Sequence, residues 1–174
     1  MENFNDKNNP VPSGNRCGVY QILDQLNIEY KKYDHPAVFT VEESRGLHLN
    51  IPGAHTKNLF LRNKKKTAYY LVTVSADKRV NLNQLTKELD EDKLSFASSE
   101  DLEKYLGLTP GSVSIFGLIN DEQHFIKVII DADFLNYGEI SFHPNVNTAT
   151  LVIRIDDFKK FLAWTKNQIS YKTI

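Results

Sequence analysis

The chain has 174 residues, 41% hydrophobic and 25% charged, with a net charge of −1. At about 150 residues per domain this is one domain, long enough to bury a core without a metal or disulfide to hold it. No window approaches ~18 uninterrupted apolar residues, which excludes a membrane-spanning helix. The 11% of aromatic residues argues against a disordered chain. The lone Cys17 can form neither an internal disulfide nor a cysteine-based zinc site. The polar opening holds no apolar export segment, so the expectation is a cytoplasmic protein.

Residues 1–16, with Pro10, Pro12 and Gly14, read as a loose arm, and 17–174 as the folded domain. Val19, Ile22, Leu23 and Leu26 follow the spacing of a short amphipathic helix. Ile28 to Tyr33 reads as a strand broken by Asp34-His35-Pro36. Thr40 and Glu43 fit a capping box for a helix that stops at Ile51-Pro52-Gly53. Thr56 to Asn63 and Thr67 to Ser75 flank Lys64-Lys65-Lys66 and predict a hairpin. Asn81 is placed to cap a helix bearing Leu82, Leu85 and Leu89, and Ser99 one that ends at Gly107. Leu94 to Ala97, Val113 to Phe116, Phe125 to Ile130, Glu139 to Phe142 and Thr148 to Ile155 are expected strands. A final helix is expected from Asp157 to Gln168. Roughly seven strands and five helices without a βαβ period predict an α+β single domain, a mixed and mostly antiparallel sheet or barrel-like core with surrounding helices.

Charge is unevenly spread. Residues 57–79 hold seven Lys and Arg (Lys57, Arg62, Lys64, Lys65, Lys66, Lys78 and Arg79) against Asp77, whereas 86–104 hold seven acids against three lysines. The basic block reads either as a local phosphate-binding surface or as a solvated hairpin tip. Walker, nucleophile-elbow, dinucleotide and zinc-protease motifs are absent, and the five histidines are scattered, so neither metal nor cofactor is expected. Alternation puts Lys57 on the face of Leu59 and Leu61. If that face looks inward, its ammonium can hold a carbonyl, carboxylate or phosphate; otherwise it snorkels from the strand end. Gly107, Gly111 and Gly117 bracket a turn whose amides could approach a ligand or simply connect helix to strand. His143 and Asn147 stand at a strand end, as ligand contacts or as part of a structural turn.

Jointly and in order, Lys57-Asn58-Leu59-Phe60-Leu61-Arg62 after Pro52-Gly53, the stretch Gly107 to Asp121, and Phe142-His143-Pro144-Asn145-Val146-Asn147-Thr148 resemble the prolyl-tRNA editing family, the YbaK-type aminoacyl-tRNA deacylases. Leu23 to Glu43 resembles that family's opening signature, and the likeness covers residues 18 to 166, most like the free-standing branch that clears alanine from mischarged proline tRNA. The resemblance implies an ester hydrolase with Lys57 as its catalytic residue. Asn58, Gly111, Ser112, Phe116, Gly117, His143, Pro144 and Asn147 would bind substrate, and Arg62, Lys64, Lys65, Lys66, Lys78 and Arg79 would take tRNA phosphates. Ile115 stands where many relatives carry proline. The partners implied are aminoacyl-tRNA, with proline tRNA foremost, and prolyl-tRNA synthetase as a docking candidate; neither DNA nor a membrane is implied. Cysteine, serine or threonine remains open as the cleared amino acid, and a non-catalytic binding module is the alternative.

Overall fold

A computed structural model describes residues 18–38 and 50–174. The expected arm, Cys17 and the helix after Thr40 lie outside the described residues.

Helix α1 (Val19–Gln25) leads to β1 (Tyr30–Asp34), and a long β2 (Ala54–Asn63) turns back into β3 (Tyr69–Ser75). Next come α2 (Leu82–Glu88), β4 (Leu94–Phe96) and α3 (Ser99–Leu106). A 3₁₀ helix at Ile115–Asn120 precedes β5 (Lys127–Asp131), and a second at Ala132–Asn136 precedes β6 (Glu139–Phe142). The chain closes with β7 (Ala149–Arg154), α4 (Ile155–Thr165) and β8 (Ile169–Lys172). The sheet runs β1-β7-β6-β2-β3-β5-β8, with β4 on β2. Pairs β1–β7, β6–β7, β2–β3 and β2–β4 are antiparallel, whereas β2–β6, β3–β5 and β5–β8 are parallel. The architecture is therefore α+β with a mixed sheet, and the path ends on β1 and β8 without closing into a barrel.

Alternation along the central strands sorts the core into two faces. Phe60, Tyr69, Leu71, Val128 and Ile130 join the larger cluster, with Phe116, Phe142, Phe158 and Phe161. Leu61, Tyr70, Val72, Val74 and Ile129 face the smaller one, closed by Leu85 and Leu94. Among the described residues, no helix is long and apolar enough to cross a membrane.

Local chemistry sets the ends. The Asn81 side chain accepts from the amides of Asn83 and Gln84, as its position before a leucine stripe predicts. Ser98, one residue before the expected Ser99, caps α3 through the Asp101 amide, and Gly107 ends that helix at φ 63°. Val113 to Phe116 is not a strand. Ser114 caps the 3₁₀ helix by accepting from the Phe116 amide at 3.2 Å, and Ile115, Phe116 and Leu118 are all buried. So short an apolar run carries no decisive period. The last helix starts two residues early, at Ile155, and ends at Thr165, where Lys166 turns left-handed at φ 57°. The residues beyond form β8, parallel to β5, which the sequence reading missed.

Candidate active site on the open edge of β2

One edge of β2 is shared by two strands that do not meet. Ala54 and His55 pair with β6, and Leu61 to Asn63 pair with β4. No described strand covers Thr56 to Leu59 on that side. Into this gap come the glycine loop and the His-Pro turn. The Thr56 hydroxyl donates to the Ser141 carbonyl at 2.7 Å. The Asn58 amide donates to the Val113 carbonyl at 3.4 Å, and its oxygen accepts from the Thr73 hydroxyl at 2.7 Å.

The loop and turn are joined to each other. Ser114 Oγ donates to the His143 carbonyl at 2.5 Å, and Asn145 Nδ2 donates to the Phe116 carbonyl at 3.3 Å. The loop tip, Thr109-Pro110-Gly111-Ser112, is a turn with Gly111 at φ 91°, the geometry that places proline second and glycine third. Ser112 closes it through its amide and hydroxyl, both on the Thr109 carbonyl. Gly117 has a different role. A Cβ there would stand 2.8 Å from Leu108 Cδ1, so glycine lets the 3₁₀ helix lie against the end of α3. Phe116 is fully buried and edge-on to Phe142 and Phe161, so its ring packs the core. Ile115 opens the 3₁₀ helix with its side chain fully buried, a first position whose backbone would also suit proline.

His143 is half-buried, with Nδ1 3.1 Å from the Ala149 carbonyl. A carbonyl only accepts, so the proton sits on Nδ1. The His35 ring stands edge-on at 5.7 Å and is tied to the Thr150 hydroxyl at 3.0 Å. Burial, and then the neighbouring His35, hold the His143 pKa below its ordinary value. Because the folded pKa lies below the unfolded one, the stabilisation is full above about pH 6.5 and shrinks as pH falls, while the unfolded chain binds a proton that the native one refuses. Tm should therefore fall between pH 7 and pH 5, and His143→Gln should remove part of that fall. An identical pH profile in the variant would contradict this.

Lys57 is placed differently. Its face does look inward, over the smaller cluster opposite Val74. Its ammonium donates to the Ala76 carbonyl at 3.2 Å and to the Lys78 carbonyl. Asn58, one residue on, faces the larger cluster; lysine and asparagine thus flank the open edge from its two sides. Pro144 is buried in the His-Pro turn. Asn147 gives its backbone carbonyl to the Val38 amide at 3.0 Å. Asn145, at φ 62° and 9% exposed, is the residue of that turn whose side chain reaches the glycine loop.

The basic block divides. Lys64, Lys65 and Lys66 form the exposed turn at one end of the hairpin, while Lys57, Lys78 and Arg79 lie at the other, roughly 20 Å away at ~3.3 Å per residue. The acidic block packs beside the turn, with Lys65 3.7 Å from Asp92 and Glu91 bonded to Asn63 and Tyr70. Arg62 is half-buried and donates to the Asn63 carbonyl. Lys78 is committed to an ion pair with the fully buried Asp131, at 2.8 Å, and with Asp133 at 2.7 Å. Burial alone would lower its pKa, but the hydrogen bonds it donates to the two carboxylates outweigh that and raise it. The sequence reading missed Asp131; the available signal was an acid ending the apolar run Val128-Ile129-Ile130.

Comparison with known proteins identifies the family. The family model for the Aminoacyl-tRNA editing domain matches residues 35–161. Over 144 residues the chain is 39% identical to the prolyl-tRNA editing protein ProX of Acetoanaerobium sticklandii, covering 83% of this chain and 88% of that one. It is 38% identical over 151 residues to prolyl-tRNA synthetase associated domain-containing protein 1 of Bos taurus, covering 84% and 88%. A crystal structure of a protein proposed as a trans-editing enzyme for prolyl tRNA synthetase superposes with a TM-score of 0.67 over 95% of this chain and 99% of that one, at 22% identity, a likeness of fold. The chain belongs to the aminoacyl-tRNA editing family. It is an aminoacyl-tRNA deacylase, an enzyme that hydrolyses the ester between an amino acid and tRNA.

Proposed function

We propose that this deacylase acts in trans on mischarged proline tRNA and clears alanine most readily. The observation that carries the reading is the open edge of β2, where Asn58, the glycine loop and the His-Pro turn meet, with Lys57 on the other face of the same strand, in a protein with a relative named for prolyl-tRNA editing. The ester is already activated, so positioning and charge stabilisation suffice without a protein nucleophile. Lys57 supplies the cation for the oxyanion that forms as water attacks the ester carbonyl. Amides of the Gly111 to Gly117 stretch hold the aminoacyl end, and the adjacent ribose hydroxyl, as the family resemblance implies, helps orient the water. The ester C–O bond then breaks, the ribose oxygen takes a proton, and free amino acid leaves.

Exclusion by size would favour alanine. The loop is tied to β2, to the His-Pro turn and to its own tip, and a wall held at three places yields little to a larger side chain. Proline, the correct product, is larger than the error, so a small pocket there would spare it. Phosphates of the acceptor stem would meet Arg79 at the Lys57 end of the hairpin, with Lys64 to Lys66 as a more distant contact weakened by Asp92. Prolyl-tRNA synthetase, in the name of one relative, is a docking partner to consider on the same ground.

Deacylation of proline tRNA charged with alanine, serine, cysteine and proline, compared under identical conditions, tests the reading. Alanine should be released fastest, and proline near background. Cysteine fastest would move the activity to cysteine clearing, and equal alanine and proline rates would defeat exclusion by size.

A further inference from the structure

Resting on the role given to Lys57, we propose that Asp131 is a positioning residue for it, acting through Lys78. Asp131 ends β5 and is 0% exposed. Its carboxylate takes the Lys78 ammonium at 2.8 and 2.9 Å and the Asp133 amide at 3.3 Å, which anchors the carboxylate to the following 3₁₀ helix. The backbone carbonyl of that same Lys78, with that of Ala76, receives the ammonium of Lys57.

The loop between β3 and α2 is otherwise fixed near its start. The Ala76 amide donates to the His55 carbonyl at 2.9 Å, and the Lys78 amide to the Ser75 carbonyl at 3.0 Å. The side-chain tether to Asp131 adds a restraint on Lys78 beyond those bonds. As a stabiliser, such a buried ion pair is often no better than an apolar pair of similar shape. What it supplies here is orientation: a buried carboxylate on β5 sets a loop on β3, and the loop sets the lysine on β2.

Steady-state deacylation of alanyl-proline tRNA, run well below each variant's melting temperature, tests this. Asp131→Asn keeps the acceptor for the Asp133 amide and removes the charge. It should lower kcat about tenfold with KM within about twofold, as expected of a misdirected catalytic group. Lys78→Arg, which can still bridge the carboxylates, should keep kcat within about threefold of wild type. Combining Lys78→Met with Asp131→Asn leaves no lone buried charge, so this pair separates misfolding from misplacement, and it should show the same fall in kcat. A folded Asp131→Asn protein or folded double variant with wild-type kcat, or a loss confined to KM, would overturn the proposal. An inactive Lys57→Ala protein beside a fully active Asp131→Asn protein would refute the positioning alone; a fully active Lys57→Ala protein would refute the role of Lys57 itself.

Discussion

Replacing Lys57 with alanine should lower kcat/KM for deacylation by about 10²–10³-fold, the loss typical when a single group that stabilises a developing oxyanion is removed. The fold should survive. Lys57 is half-buried at the edge of the smaller cluster, and the two carbonyls it leaves belong to a loop whose residues are themselves half-exposed, so water can replace the ammonium. The stability loss should stay near 1 kcal/mol. Circular dichroism and a melting curve, run beside the kinetics, separate the two effects. Full activity in the folded variant would remove Lys57 from the mechanism.

A second large effect is expected far from the ester. Asp121 is buried, and its carboxylate accepts from the Phe125 amide at 3.1 Å, the Ile126 amide at 2.8 Å and Asn167 Nδ2 at 2.7 Å. It joins the end of the glycine-loop 3₁₀ helix to β5 and to the turn before β8. Alanine at this position breaks all three bonds, leaving the Phe125 and Ile126 amides without an acceptor and Asn167 Nδ2 with only the Ile126 carbonyl, at a cost of about 3–5 kcal/mol. Against a total of roughly 5–15 kcal/mol that leaves a marginal protein. In a chain of this length Tm should fall by about 10 °C. A urea midpoint corresponding to less than about 1 kcal/mol of loss would show that the two amides find other partners.

Local chemistry was legible where one residue type had one physical use. Asn81 before a leucine stripe, Gly107 after a helix, and runs of β-formers around three lysines each produced the expected element. The sequence was silent where distance along the chain hides proximity. Lys78 looked like a free cation among other cations, and 53 residues separate it from the carboxylate that binds it. The basic block looked continuous because sequence does not show that a hairpin sends its two halves to opposite ends. Alternation put Lys57 on the face of Leu59 and Leu61 but left open whether that face looks inward, and its carbonyl partners, on a loop with no recognisable motif, were not legible. Within the His-Pro turn, Asn147 was singled out, yet Asn145 carries the side-chain contact to the glycine loop. Val113 to Phe116 failed as a strand because an apolar run bounded by serine and glycine serves a capped 3₁₀ helix equally well.

Multiple-turnover release of alanine from alanyl-proline tRNA in water enriched in oxygen-18 tests the central claim most directly. Hydrolysis at the open edge of β2 predicts many turnovers per enzyme, one heavy oxygen in the carboxylate of each released alanine, and intact tRNA. A single turnover, or alanine released without the heavy oxygen, would contradict direct attack of water on the ester.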